Sequence, residues 1–258
     1  MTGAATRGVG ALTWPARAAP PPLGRDDVHV WLVRLDVAAA RLRDLRAHLD
    51  AEELARAARL VTPRHGERFA AARGALRELL GAYLGEAPAG VRLAYGARGK
   101  PRLAAPDAAR PLQFNLAHTG ELALVAVSLG RPVGADVERE RPVDHAAVSR
   151  RMFSPAERAA LLALPEGRRR AAFFECWAFK ESYVKAHGDG LAMDTRRFDV
   201  WRPGRREGDR ARVTGEDVEG PWEIVALRPL PGHPAAVCAA GERWGVVRGE
   251  WRGAGNRK

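Results

Sequence analysis

Phe173-Phe174-Glu175-Cys176-Trp177-Ala178-Phe179-Lys180-Glu181-Ser182-Tyr183-Val184-Lys185-Ala186-His187-Gly188-Asp189-Gly190-Leu191 is the stretch on which the reading of this 258-residue chain turns. Its fifteen residues before Gly188 hold no glycine or proline, and Phe173, Trp177 and Val184, joined by Phe174, recur near helical spacing. One helix closed by Gly188 is predicted. Glu181 and Lys185 are four apart, which stacks a carboxylate and an ammonium on one face, with Lys180 beside them. Taken alone, that describes an amphipathic helix with an ordinary ion pair.

A second acidic element changes its weight. In Val133-Gly134-Ala135-Asp136-Val137-Glu138 two carboxylates two apart follow an apolar run. Alternate residues of a strand share a face, so Asp136 and Glu138 project together. Glu181 would complete a three-carboxylate oxygen cage of the kind Mg²⁺ takes.

Gly134-Ala135-Asp136-Val137-Glu138 followed by Trp177-x-x-Lys180-Glu181-Ser182-x-x-Lys185-x-x-Gly188-x-Gly190-Leu191 resembles the signature of the 4'-phosphopantetheinyl transferase superfamily. Length and upstream motifs resemble the two-lobed Sfp type more than the short, trimeric holo-acyl-carrier-protein synthase type. The resemblance implies an α+β fold of two similar lobes related by a pseudo-twofold axis, each a small antiparallel sheet packed with helices. It implies an Mg²⁺-dependent enzyme that transfers the 4'-phosphopantetheine arm of coenzyme A to a serine of an acyl or peptidyl carrier protein, releasing adenosine 3',5'-bisphosphate. In that reading Asp136, Glu138 and Glu181 hold the metal. Glu181 is also the leading base, and Lys185 and His118 offset the remaining negative charge. Lys180 would orient the carboxylates or contact phosphate, and Trp177 would pack the helix into its lobe.

The upstream motifs extend the resemblance. Gly96-Ala97-Arg98-Gly99-Lys100-Pro101 matches the family's first motif, a loop lying against adenosine and its phosphate, where Lys100 and Pro101 would meet the coenzyme. Read without that match, the same residues are a plain turn. Phe114-Asn115-Leu116-Ala117-His118-Thr119 resembles the family's FN-(L/I)-S-H-(S/T) element. His118 would then bind coenzyme A phosphates, Asn115 would fix the loop and Thr119 would share the site, while Ala117 stands where serine is common. The best matches to the basic residues that reach the 3'-phosphate are Arg56 and Arg59, followed by Arg68 and Arg73.

Composition narrows the alternatives. Forty-two Lys plus Arg against 31 Asp plus Glu give a formal charge of +11, so an acidic partner is expected. Only four of the basic residues are lysine, and Lys100, Lys180 and Lys185 all fall inside the motifs. A basic nucleic-acid-binding protein would explain the arginines, yet no helix-turn-helix, zinc-finger or RNP pattern occurs. An Mg²⁺-dependent phosphohydrolase would use the same carboxylates and cations, and stands as a further alternative. Cys176 and Cys238 form no CxxC or Cys/His cluster, no apolar run approaches the roughly 20 residues of a membrane span, and the N-terminus has no signal-peptide apolar region. A cytoplasmic monomer acting on an acidic carrier, without nucleic acid or membrane, is the expectation.

Along the chain, residues 1–25 read as a loose leader, 26–130 as an N-terminal lobe for the coenzyme, 131–252 as a catalytic C-terminal lobe and 253–258 as a tail. Asp50 to Glu53 and Ser154 to Glu157 have capping-box form. Pro63 is expected to end the first of those helices, with another from Arg64 to Leu84. Gly130-Arg131-Pro132 is expected to be a hairpin turn at the lobe boundary, and Val246–Trp251 to add an edge strand.

Overall fold

The computed structural model describes residues 13–96, 99–188, 193–201 and 209–253. In chain order these form β1 (Ala16–Arg17), β2 (Asp27–Arg34), α1 (Ala39–Arg46), α2 (Ala51–Ala58), α3 (Pro63–Leu84), β3 (Leu93–Tyr95), β4 (Pro101–Leu103), β5 (Leu112–Thr119), β6 (Leu122–Leu129) and β7 (Val133–Val137). Then follow α4 (His145–Met152), α5 (Pro155–Leu162), α6 (Glu166–His187), β8 (Phe198–Asp199), β9 (Arg210–Arg212), β10 (Thr214–Gly215), β11 (Trp222–Leu230), β12 (His233–Ala240) and β13 (Gly245–Trp251). The architecture is mixed α+β.

Two sheets lie back to back. The first has the order β1-β13-β2-β6-β5 and the second β7-β12-β11-β9. Val28, Val30, Leu122, Leu124 and Ala126 of the first meet Val133, Ala135, Val137, Val225 and Val237 of the second in one buried layer. The opposite faces are covered by helices, because strand side chains alternate and both sets are apolar. Leu76, Leu79 and Leu80 of α3 pack on Trp31, Val33, Val125 and Val127 of the first sheet. Phe179, Tyr183 and Val184 of α6 pack with Ile224, Ala226 and Cys238 of the second. The layers thus run helix, sheet, sheet, helix.

Local signals fix the helix ends. Asp50 and Glu53 form a reciprocal capping box on α2, and Ser154 and Glu157 do the same on α5. Helix α6 closes at Gly188 with φ +94°, a left-handed cap that glycine adopts without a Cβ penalty. It begins at Glu166, so Arg168-Arg169-Arg170 belong to its first turns. Pro63 opens α3 as its first residue instead of closing α2, which stops at Ala58; a proline there gives up only an amide that would lack an intrahelical partner.

Three further expectations need correction. Strand β13 is interior: it pairs in parallel with β2 on one side and β1 on the other, so residues 245–251 return to the first sheet. Trp251 fixes it there, its indole N–H donating to Glu78 Oε2 of α3 at 3.0 Å. Residues 14–17 do not belong to a loose leader, because β1 is held in that sheet and Trp14 packs against the core between the sheets. The turn at Gly130 is no hairpin, since β6 pairs with β2 and β5 whereas β7 pairs with β12. It carries the chain from one sheet to the other.

A buried ion pair ties α6 to its surroundings. Lys180 Nζ lies 2.8 Å from Glu157 Oε2, with both side chains almost fully buried, and donates to Thr195 O (2.6 Å) and Phe198 O (2.7 Å). Glu157 also accepts from Val200 N at 2.8 Å and from Ser154 N at 3.0 Å. Lys180→Met leaves that carboxylate without its counter-charge and is expected to cost about 3–5 kcal/mol. Urea titration checks this, and adding Glu157→Gln in the same chain should recover part of the loss.

Candidate functional site

Edge strands β5 and β7 meet where the two sheets adjoin, and Ala135 N–H donates to the buried Asn115 Oδ1 at 2.8 Å. Asn115 therefore joins one sheet to the other. Above this joint α6 crosses β7 at unusually short range. A Cβ built on Gly134 would collide with Ser182 O and Ala186 N and come within 2.8 Å of Lys185 C. Glycine at this position lets the helix backbone lie directly on the strand. Gly134 was quoted above only as part of a motif; a lone glycine inside a β pattern is the signal that marks such an approach.

The close crossing brings together the side chains singled out on the two elements. Lys185 Nζ lies 2.5 Å from Asp136 Oδ1. Asp136 Oδ2 is buried with no hydrogen-bond partner among the described residues. Desolvation pushes the Asp136 carboxyl above its ordinary range, against the pull of Lys185. Glu138 and Glu181 are both half-buried and raised chiefly by desolvation, with Asp136 adding to each shift by like-charge repulsion. Burial alone would lower Lys185, but Asp136, followed by Glu181 and Glu138, outweighs it and holds the ammonium protonated. Glu138 is further engaged by Arg141 at 3.2 Å.

His118 comes to this group from the end of β5. The residue keeps solvent-exposed surface, yet protein packed around its ring lowers the pKa, first by desolvation and then by the charges of Lys185 and Arg56. Both cations are thus its electrostatic neighbours. Arg56 is exposed on α2 with its guanidinium 5.3 Å from the Phe69 ring centre. Thr119 ends β5, half-buried.

Other expected contributors are engaged elsewhere. Lys180 is buried against Glu157 on a different side of α6 and does not join the carboxylates. Arg73 is buried on Glu53, with a further bond to the Tyr95 hydroxyl, and Arg68 pairs with Asp36 at 2.7 Å. Lys100 points its ammonium at main-chain carbonyls of α6 and β7. With Pro101, Gln113, Phe114, Ala186 and His187 it lines a cavity of about 420 Å³ between the β3–β4 turn and the end of α6. Ala97, Arg98, Gly190 and Leu191 lie outside the described residues.

Among the described residues no three His, Cys, Asp or Glu side chains converge closely enough to hold a metal ion as they stand. Lys185 is the counter-charge of Asp136 in this arrangement. The donor chemistry nevertheless fits a divalent cation: three partly or fully buried carboxylates resist ionising together, and one buried oxygen lacks a partner. Oxygen ligands of this kind suit a hard cation.

The family model described as the 4'-phosphopantetheinyl transferase superfamily matches residues 132–238. Over 233 residues the chain is 38% identical to the 4'-phosphopantetheinyl transferase HetI of a Nostoc species, covering 90% of this chain and 95% of that one. It is 33% identical over 164 residues to a putative 4'-phosphopantetheinyl transferase of a Synechocystis species, covering 63% and 65%. With the transferase Sfp of Bacillus subtilis it shares 31% identity over 143 residues, 55% of this chain and 60% of that one.

The crossing at Gly134 generates a direct test. Gly134→Ala must lift α6 from β7, and because the obstacles are backbone atoms they cannot swing aside. The expected cost is about 3 kcal/mol, the upper end for overpacking, measured by denaturant titration. Transfer activity should fall further than the loss of folded protein explains.

Proposed function

The chain belongs to the 4'-phosphopantetheinyl transferase superfamily, and from that premise we propose that Asp136, Glu138, Glu181, Lys185 and His118 form its reaction centre. It is an enzyme that moves phosphopantetheine from coenzyme A to carrier proteins. The observation that supports this centre most is the Asp136–Lys185 pair, set where α6 rests on β7, with Asp136 Oδ2 unpartnered. The two-lobed reading is supported by the one long helix, α3 or α6, that packs on the outer face of each sheet.

The serine oxygen of the carrier attacks the phosphorus that bears pantetheine, and the bond from that phosphorus to the bridging oxygen of the diphosphate breaks. Adenosine 3',5'-bisphosphate leaves with the bond's electrons. Such a transfer depends mostly on positioning and charge neutralisation. Lys185, paired with Asp136, would divide its donors between that carboxylate and the diphosphate. His118 from β5 and Arg56 from α2, whose charge His118 feels, would flank the phosphates. Glu181 is the group that would take the serine proton, directly or through a metal-bound water. Asp136, Glu138 and Glu181 would hold Mg²⁺, which when bound polarises the diphosphate and offsets its charge.

The cavity beside His187 and Pro101 is the place we assign to the nucleotide end of coenzyme A. The positive formal charge of +11 supports an acidic carrier surface as partner. Both cysteines are buried free thiols, which suits a reducing, cytoplasmic setting, and we take the single chain as the working unit. Among the described residues no helix is long and apolar enough to cross a membrane.

Intact-mass spectrometry of an apo carrier protein incubated with this protein, coenzyme A and Mg²⁺ is the first test. One phosphopantetheine added, and none with EDTA, is the expected result; unchanged transfer in EDTA would remove the metal from the reaction. Asp136→Asn and Glu181→Gln should each lower kcat by about 100-fold or more while the protein stays folded. Millimolar Mg²⁺ should also raise the melting temperature of the wild type and not of Asp136→Asn, because a ligand stabilises only the state that binds it.

A further inference from the structure

Lys100 leaves the turn between β3 and β4 and reaches the end of α6. Its Nζ lies 2.5 Å from Lys185 O, 3.4 Å from Ala186 O and 3.3 Å from Val133 O. Two of these acceptors belong to the last turn of the helix, where intrahelical donors run out. The third is the first residue of β7. Gly188 N–H donates to Val184 O at the same end.

The chemistry suits lysine. An ammonium sends three donors from one point, and here three carbonyls surround one point; a guanidinium spreads its donors over a plane. A cation at a helix C-terminus also meets the negative end of the helix dipole. Lys100 is held at its own backbone too, its carbonyl accepting from Gly96 N–H at 3.1 Å, and Gly99 before it adopts φ +77°. Burial draws the Lys100 pKa down to about 8, with Cys238 opposing that shift.

The closest of the three acceptors belongs to Lys185, the residue whose ammonium stands on Asp136. One residue is therefore held at both ends: its carbonyl by Lys100 and its side chain by Asp136. We infer that Lys100 is a positioning residue that locks the last turn of α6 onto β7, fixes Lys185 over Asp136, and leaves coenzyme phosphate to other cations. This departs from the charge role expected of Lys100 from its motif. The inference rests on the reading of Lys185 as part of the reaction centre.

The test compares wild type, Lys100→Met and Lys100→Arg. Transfer kinetics are measured with coenzyme A and with 3'-dephospho-coenzyme A, and hydrogen exchange is followed in the peptide spanning residues 183–188. A positioning role predicts that Lys100→Met lowers kcat by about tenfold or more while KM for either coenzyme moves less than about threefold. The preference for the 3'-phosphate should persist, and Lys100→Arg should not restore kcat. Exchange in the last turn of α6 should quicken by about tenfold or more, reporting local fraying.

A phosphate role would show the reverse: KM rising for coenzyme A alone, kcat intact, and rescue by arginine. That pattern, or unchanged exchange in the last turn, overturns the inference. Should Lys100→Met fail to fold, Lys100→Gln keeps two donors on a shorter stem and is read in the same way. If the wild type transfers nothing, the centre proposed above fails, while exchange still decides whether Lys100 secures the helix.

Discussion

The absence of a side chain at Gly134 governs how the site is built. With any Cβ there, the backbone at Ser182 and Ala186 would be forced away from β7. The carboxylate on β7 and the ammonium on α6 meet only because two main chains are in contact. A 2.5 Å pair such as Asp136–Lys185 is sensitive to displacements far smaller than a side chain. Interiors packed at crystal-like density do not absorb such displacements gradually. Position, here, is set by backbone, and the charged groups inherit it.

Two lysines five residues apart on α6 illustrate the consequence. Lys180 points into the lobe, meets Glu157 and two carbonyls, and is almost fully buried. Lys185 points to the joint between the sheets and meets a carboxylate that has one oxygen left over. Five residues turn a helix by roughly 140°, so neighbours in a motif need not be neighbours in a site. The first lysine secures the helix in its own half. The second stands among acids that destabilise one another's charge, a condition common at functional positions.

What could be read in the sequence was what local chemistry encodes. Gly188 as a left-handed cap and the capping boxes at Asp50 and Ser154 all follow from a few adjacent residues. The parallel insertion of β13 between β1 and β2 does not, because its partners lie more than 200 residues away in sequence. A run such as Val246–Trp251 looks the same whether it edges a sheet or fills it. Lys180 and Lys100 were legible as unusual, being lysines in a chain that otherwise uses arginine. Their partners were not, since Glu157 and the α6 carbonyls are brought to them only by the tertiary fold.

The same long-range pairing explains why the joint between the sheets can carry chemistry. Sheet one contributes His118 from its edge strand and sheet two contributes Asp136 from its own, and Asn115 bonds one edge to the other. At the far side of the first sheet β13 returns from the second half of the chain and is pinned to α3 through Trp251 and Glu78. The two sheets are thus tied where β5 meets β7, and a large apolar layer lies between them. Relative motion of the halves would have to disturb that layer as well as the edge bonds. His118 and Asp136, on separate sheets, can therefore hold a fixed spacing without sharing an element of secondary structure.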